Sequence, residues 1–197
     1  MLSIALVSER QKFSYGQFIA PAIALGLDIE IYKKAVEKLL TNPSRELKGT
    51  ICSLRLSNRY LDHAETFDEL KSLLERHAKY LPFKLIIELP DSLLSSDSEH
   101  LHAYKKLFEK YDIKIGVFEF IGNATNYSYL KELRPAYIKA ELNYFVGQSN
   151  LNVSSLQVVT DSIGIDLIAT SVMNTDFLSD LKSRNVTIIQ GPASEMI

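Results

Sequence analysis

The 197-residue chain contains a single cysteine, Cys52, so an internal disulfide is impossible. This absence excludes the small disulfide-stabilised domains typical of secreted proteins. Cys52 lies in a short apolar run and is expected to pack in a strand as a small apolar residue. We therefore interpret the chain as a cytoplasmic protein.

An excess of basic residues is also missing. Lysine and arginine number 22 against 24 aspartate and glutamate, giving a formal net charge of -2. A nucleic-acid groove or an anionic membrane face depends on a basic surface, so neither partner is expected. The apolar opening, residues 1–7, has no basic leader and is far shorter than the ~20 residues that span a membrane. These seven residues are predicted to form a strand.

Several motifs of known chemistry are absent as well. The sequence has no glycine-rich phosphate loop, no Ser-His-Asp arrangement and no cysteine nucleophile. His100 and His102 are two residues apart on a predicted helix and face different directions, while His63 and His77 lack an acidic partner at metal-binding spacing. The histidines are therefore expected to be solvated or at the edge of the core.

The chain does have a regular alternation of strand-like and helix-like segments. Its 46% hydrophobic and 23% charged composition suits one well-buried core, so residues 1–197 are predicted to form a single domain. Between the strands, apolar residues recur with helical period. The predicted strands are residues 2–7, 50–56, 84–89, 113–118, 136–142, 166–170 and 186–190.

This alternation predicts an α/β fold, which could be a doubly wound sheet or a barrel. The clearest unit is a strand at 113–118, a short helix at 126–133 and a strand at 136–141. Glu119 and Glu141 fall at the two strand ends. In parallel sheets and barrels these ends form the edge that carries chemistry.

The same stretch carries a family resemblance. Tyr129-Leu130-Lys131 and Tyr137-Ile138-Lys139 are similar to the segments Tyr-Leu-Lys and Tyr-Ile-Lys of bacterial EAL domains, the cyclic di-GMP phosphodiesterases. Residues 2–8 resemble the strand that bears the Glu-Ala-Leu signature, and residues 17–27 resemble the helix Phe-Ile-Pro-Leu-Ala-Glu-x-x-Gly-Leu. The resemblance implies a modified (β/α)8 TIM-like barrel, here without the family's first strand, as a piece of a longer protein.

Family members of this kind hydrolyse a phosphodiester with metal ions, which need carboxylate and amide ligands at strand ends. In this sequence the signature glutamate corresponds to Ile4, and the arginine that helps hold the ligand corresponds to Ser8. The asparagine of the next site strand corresponds to Arg55. The family's Glu-Ile-Thr-Glu segment is kept as Glu88 and Asp91 at its two acidic positions.

The later site positions are altered too. The Asp-Asp pair corresponds to Phe118 and Glu119, and Lys-Ile-Asp corresponds to Lys139-Ala140-Glu141. Ala-Glu-Gly-Val-Glu corresponds to residues 169–173, which removes both glutamates. The remaining remnant positions implied by the resemblance are Phe118, Glu119, Lys139, Glu141, Thr170, Met173 and Gln190.

With so many oxygen donors replaced, the sequence predicts neither a metal centre nor any other cofactor. A buried Glu88 without its metal would need a partner. We therefore predict an ion pair between Arg55 and Glu88, with a surface position for Arg55 as the alternative.

The sequence thus predicts a catalytically inactive EAL-like regulatory module that acts through a protein partner or through other domains of a longer chain. A non-hydrolysing cyclic di-GMP receptor is the alternative, with weak phosphodiesterase activity less favoured.

Overall fold

In the computed structural model, residues 5–7, 12–94, 99–122, 126–147 and 150–196 are described. The strands of this part of the chain fall into two sheets. A two-stranded sheet contains Ala5–Val7 (β1) and Lys12–Ser14 (β2). The larger sheet contains Ile51–Arg55 (β3), Lys84–Pro90 (β4), Lys114–Phe118 (β5), Tyr137–Glu141 (β6), Asp166–Thr170 (β7) and Ile188–Ile189 (β8).

Helices separate most of these strands. The α-helices of the described residues are Tyr15–Ala24 (α1), Asp28–Thr41 (α2), Asn58–Leu61 (α3), Thr66–His77 (α4), Asp91–Leu94 (α5), Glu99–Lys110 (α6), Asn126–Leu133 (α7), Leu142–Gly147 (α8), Asn150–Ile163 (α9) and Leu178–Ser183 (α10). Short 3-10 helices occur at Arg45–Leu47, Ala78–Tyr80 and Pro192–Glu195. None of the described helices is long and apolar enough to cross a lipid bilayer.

The strands of the larger sheet are neighbours in chain order, from β3 to β8. β5 to β8 are parallel, with Val117 opposite Ile138 and Ala169 opposite both Ala140 and Ile189. Helices connect the strands because parallel neighbours need a crossover. The predicted alternation of strands and helices is therefore confirmed.

The strand predicted at residues 2–7 is present in its described part, β1. This strand pairs antiparallel with β2, and Ala5 faces Ser14. The sequence pattern identified the strand and not its partner. β2 itself was not predicted, because three residues are too short to show an alternating pattern.

The chain divides into two compact units. The first comprises residues 1–87 and 102–113, and the second comprises residues 88–101 and 114–197. The prediction that residues 1–197 form one domain stays a prediction.

The core of the first unit is built on α2 and α4. Tyr32, Val36 and Leu40 repeat every four residues along α2 and are buried, as are Leu70 and Leu74 on α4. This spacing places them on one face of each helix. The four aliphatic residues of this set line a residual cavity of only about 10 Å³ together with strand residues such as Leu54 and Leu85.

Aromatic side chains pack against one another in the same unit. Tyr32 and Tyr60 have ring centroids 5.8 Å apart, and Tyr104 lies edge-on to Phe67 at 5.1 Å. Burial raises the pKa of the Tyr60 and Tyr104 phenols. Tyr104 therefore stays protonated, and its hydroxyl donates to the Leu61 carbonyl at 3.2 Å.

The first unit also contains a buried acid. Asp28, the first residue of α2, is 1% exposed, and Arg59 donates to its two oxygens from Nε at 2.8 Å and Nη2 at 3.3 Å. This bidentate pair satisfies a carboxylate that burial would otherwise destabilise. A carboxylate in the first turn is also favoured by the helix dipole.

We expect Arg59→Met to lower the free energy of unfolding by about 1–3 kcal/mol, because Asp28 would lose both charge-assisted hydrogen bonds. Urea denaturation at neutral pH measures this change. Arg76→Met is the control, since Arg76 Nε only donates to the exposed Ser72 carbonyl of its own helix. Equal effects of the two substitutions would contradict a stabilising role for the Asp28–Arg59 pair.

Candidate functional site

A buried carboxylate, Glu88 near the end of β4, is the centre of the candidate site in the second unit. It is 0% exposed. Its Oε1 lies 2.5 Å from the ammonium of Lys139 and accepts a hydrogen bond from the Tyr137 hydroxyl at 2.7 Å. The Lys139 side chain is only 6% exposed, so the ion pair is shielded from water. Lys139 Nζ also lies 5.1 Å from the centre of the Tyr137 ring, within cation–π range.

A glycine allows the tyrosine to reach Glu88. β5 lies between β4 and β6, so the side chain of Tyr137 must cross β5 at Gly116, its register partner. A Cβ at position 116 would lie 2.6 Å from Cε2 and 2.8 Å from Cζ of Tyr137. Glycine within a strand often marks such a close approach. The contact between Tyr137 and Glu88 therefore requires glycine at position 116.

The second retained acid has a structural role. Asp91, the first residue of α5, is 2% exposed, and its Oδ2 accepts a hydrogen bond from the Ile121 backbone N–H at 3.1 Å. The carboxylate thus fixes the loop that follows β5.

The other two acids are exposed. Glu119 and Glu141, predicted at the ends of β5 and β6, both lie on the surface. Glu119 has φ +53°, a left-handed conformation that is uncommon for a residue with a side chain. Of the four remnant acids, two are buried within protein hydrogen bonds and two face solvent.

Neutral side chains occupy the later positions. Phe118 is 5% exposed and belongs to the core, whereas Met173 is 65% exposed. The Thr170 hydroxyl donates to the Ala140 carbonyl at 3.2 Å. The Gln190 backbone N–H donates to the Ala169 carbonyl of β7 at 2.8 Å.

Three sequence-based predictions stay open. Ile4 and Ser8 lie outside the described residues. Arg55 belongs to the first unit and Glu88 to the second, so their predicted ion pair stays a prediction. Within the second unit, Glu88 forms an ion pair with Lys139.

The loops that follow β5 to β8 carry charges of one sign. Residues 119–125, 141–149, 171–177 and 190–197 contain Glu119, Glu141, Asp176 and Glu195 and no lysine or arginine. All four acids are exposed. Lys139, two residues before Glu141 on β6, is buried against Glu88. This edge of the sheet is therefore acidic toward solvent.

The arrangement does not fit a two-metal centre. Within the described ranges no three His, Cys, Asp or Glu side chains are placed to hold one metal ion. Glu88 already faces an ammonium at 2.5 Å, and Phe118 and Met173 have no oxygen to donate. The site therefore offers a neutralised carboxylate rather than a vacant ligand set.

Sequence reasoning missed Tyr137 and Gly116 as parts of this site. Tyr137 and Lys139 are two residues apart on β6, so their side chains lie on one face, and this signal was available. The crossing at Gly116 was not, because it depends on the register of β5 against β6.

Comparison with known proteins gives a family. The model of the EAL domain matches residues 5–194 of the chain. A search of curated protein sequences found no match.

Solved structures confirm the predicted fold class. A Vibrio cholerae LapD S helix-GGDEF-EAL chain bound to c-di-GMP is similar over 94% of this chain and 46% of its own, with 15% identity and a TM-score of 0.78. The Xanthomonas citri FimX EAL domain in complex with c-diGMP is similar over 95% of this chain and 77% of its own, with 19% identity and a TM-score of 0.68.

A third structure, the Bacillus subtilis YkuI protein with an EAL domain, in complex with substrate c-di-GMP and calcium, is similar over 98% of this chain. It has 18% identity, a TM-score of 0.67 and 48% coverage of that protein. This chain thus spans just under half of the LapD and YkuI chains that it matches.

Replacing Lys139 should destabilise the protein strongly. We expect Lys139→Met to lower the free energy of unfolding by about 3–5 kcal/mol, because Glu88 would remain buried without the ammonium. The double variant Lys139→Met with Glu88→Gln should recover much of this loss. Denaturant unfolding of the single and double variants tests this. Lys110→Met, which removes an exposed pair with Glu75 and a cation–π contact with Tyr111, is the control.

The crossing at Gly116 predicts non-additive mutational effects. We expect Gly116→Ala to destabilise the protein by more than about 1 kcal/mol, because its Cβ would overlap the Tyr137 ring. In a Tyr137→Leu background the same change should cost much less. Thermal unfolding of the four proteins in this cycle measures the coupling. Additive effects would show that the ring does not lie across Gly116.

Proposed function

The chain belongs to the EAL domain family, and from this premise we propose that it is a catalytically inactive member. It acts as a regulatory module by binding a segment of another protein, and it neither hydrolyses nor holds cyclic di-GMP. The observation that carries this proposal is the loss of oxygen donors at positions where the family motif has acids: Phe118 is packed in the core, and Met173 has a thioether side chain.

The retained acid Glu88 is held by contacts within the protein. Its Oε1 lies 2.5 Å from the Lys139 ammonium and accepts a hydrogen bond from the Tyr137 hydroxyl at 2.7 Å. Since Lys139 and Tyr137 both match the family motif, the case for inactivity depends on the replaced acids and not on this pair.

Hydrolysis of a phosphodiester needs stabilisation of developing charge and an activated water, which family members of this kind obtain from metal ions. Here Phe118 and Met173 replace acidic residues of the family motif. Loss of even one group that stabilises charge in a transition state commonly costs about 2.7–4 kcal/mol. The combined losses support an inactive site.

The surface charge also argues against an anionic dinucleotide. Cyclic di-GMP carries two negatively charged phosphates, and the exposed charges that follow β5 to β8 are all acidic. Without metal ions to bridge them, like charges repel. The same edge exposes apolar side chains, Ile121 at 74% and Met173 at 65%, which favours a polypeptide partner.

A receptor that binds cyclic di-GMP without hydrolysing it is the alternative, since LapD and FimX structures with EAL domains have been solved with this dinucleotide. A receptor would be stabilised against thermal unfolding by cyclic di-GMP, so a titration with this dinucleotide distinguishes the two functions.

We expect excess cyclic di-GMP to leave the melting temperature unchanged, with and without Mg²⁺ or Mn²⁺. A ligand at 100 times its dissociation constant would stabilise the folded state by about 2.7 kcal/mol, so binding would be visible. Prolonged incubation followed by chromatography should show an intact dinucleotide. A melting shift without turnover would favour the receptor, and turnover that depends on the metal would show an enzyme.

A further inference from the structure

The loops after β5 and β7 have the same construction. In each, the residue after the strand has a left-handed conformation, with φ +53° at Glu119 and +60° at Ser171. The next residue is buried, and the one after it is an exposed apolar side chain. Phe120 with Ile121, and Val172 with Met173, occupy these equivalent positions.

Both loops are anchored through their buried residues. The Phe120 N–H donates to the Lys139 carbonyl at 3.0 Å, and the Val172 N–H donates to the Gln190 carbonyl at 3.3 Å. Gly191 lies against Val172 so closely that a Cβ there would be 2.5 Å from the Val172 carbonyl oxygen. Ile121 and Met173 are therefore presented by fixed backbone, which limits the entropy lost on binding.

The two apolar side chains flank an exposed acid. β6 lies between β5 and β7 and ends at Glu141. Ile121 follows β5 and Met173 follows β7, so these three residues come after three neighbouring strands in the order Ile121, Glu141 and Met173. Neighbouring strands are about 4.8 Å apart, which separates the first and third strands by about 10 Å. A segment in the polyproline II conformation covers about 9 Å in three residues, and its side chains three residues apart lie on one face.

We propose that this row is a docking site for a segment of another protein in the polyproline II conformation, which carries two apolar side chains three residues apart with lysine or arginine between them. The apolar residues cover Ile121 and Met173, and the basic residue pairs with Glu141. The acidic surroundings, which include Asp176 and Glu195, favour a cationic segment by charge complementarity. This inference rests on the proposed function and names the surface through which it operates.

The test is a selection of 12-residue random peptides displayed on phage against the immobilised full chain. Peptides enriched on this protein should be basic and should contain two apolar residues at a spacing of three. Their dissociation constants, measured by fluorescence anisotropy with the synthetic peptides, should rise at least about tenfold for the double variant Ile121→Ser with Met173→Gln. Glu141→Gln should weaken binding and reduce its salt dependence.

Val158→Ser is the matched control, because Val158 is 70% exposed on α9 of the same unit. Circular dichroism confirms that each variant is folded. Peptides that bind the double variant as well as the original chain would place the protein-binding surface elsewhere and overturn the docking site alone. Acidic enriched peptides, or none, would also overturn it. If cyclic di-GMP then raises the melting temperature, the proposed function fails as well.

Discussion

The ion pair between Glu88 and Lys139 is the interaction on which the candidate site depends. A fully buried carboxylate is strongly destabilising unless a cation and hydrogen-bond donors satisfy it. Lys139 and Tyr137 provide both at 2.5 and 2.7 Å, and the tyrosine reaches Glu88 because Gly116 has no side chain to obstruct it. One carboxylate therefore constrains a lysine, a tyrosine and a glycine on two neighbouring strands.

This internal neutralisation separates the buried charges from the exposed ones. Glu88 and Asp91 are engaged within the protein, so they contribute little to the field outside it. The segments that follow β5 to β8 contain exposed acids and no lysine or arginine, so their charge acts on molecules that approach this edge of the sheet. The four acids of this site are thus divided between two in the interior and two on the surface.

Local features of this fold could be predicted from the sequence, and non-local ones could not. The helix Asn126–Leu133 and the strand Asp166–Thr170 have the bounds that periodicity predicts, because the positions of apolar residues along one segment determine them. The partner of β1 and the crossing at Gly116 depend on register between separate strands. For the same reason, the sequence identified Glu88 as a buried acid in need of a cation without indicating Lys139.

The two kinds of site residue also differ in how freely they can change. Glu88 and Lys139 cannot be replaced singly without leaving a buried charge, so only coupled changes keep the protein stable. Ile121 and Met173 are held by the buried Phe120 and Val172 behind them, and their own side chains contribute little to the core. Substitution of such exposed residues usually changes stability by less than about 0.5 kcal/mol. The scaffold can therefore acquire new surface chemistry at these loops while its buried ion pair stays intact.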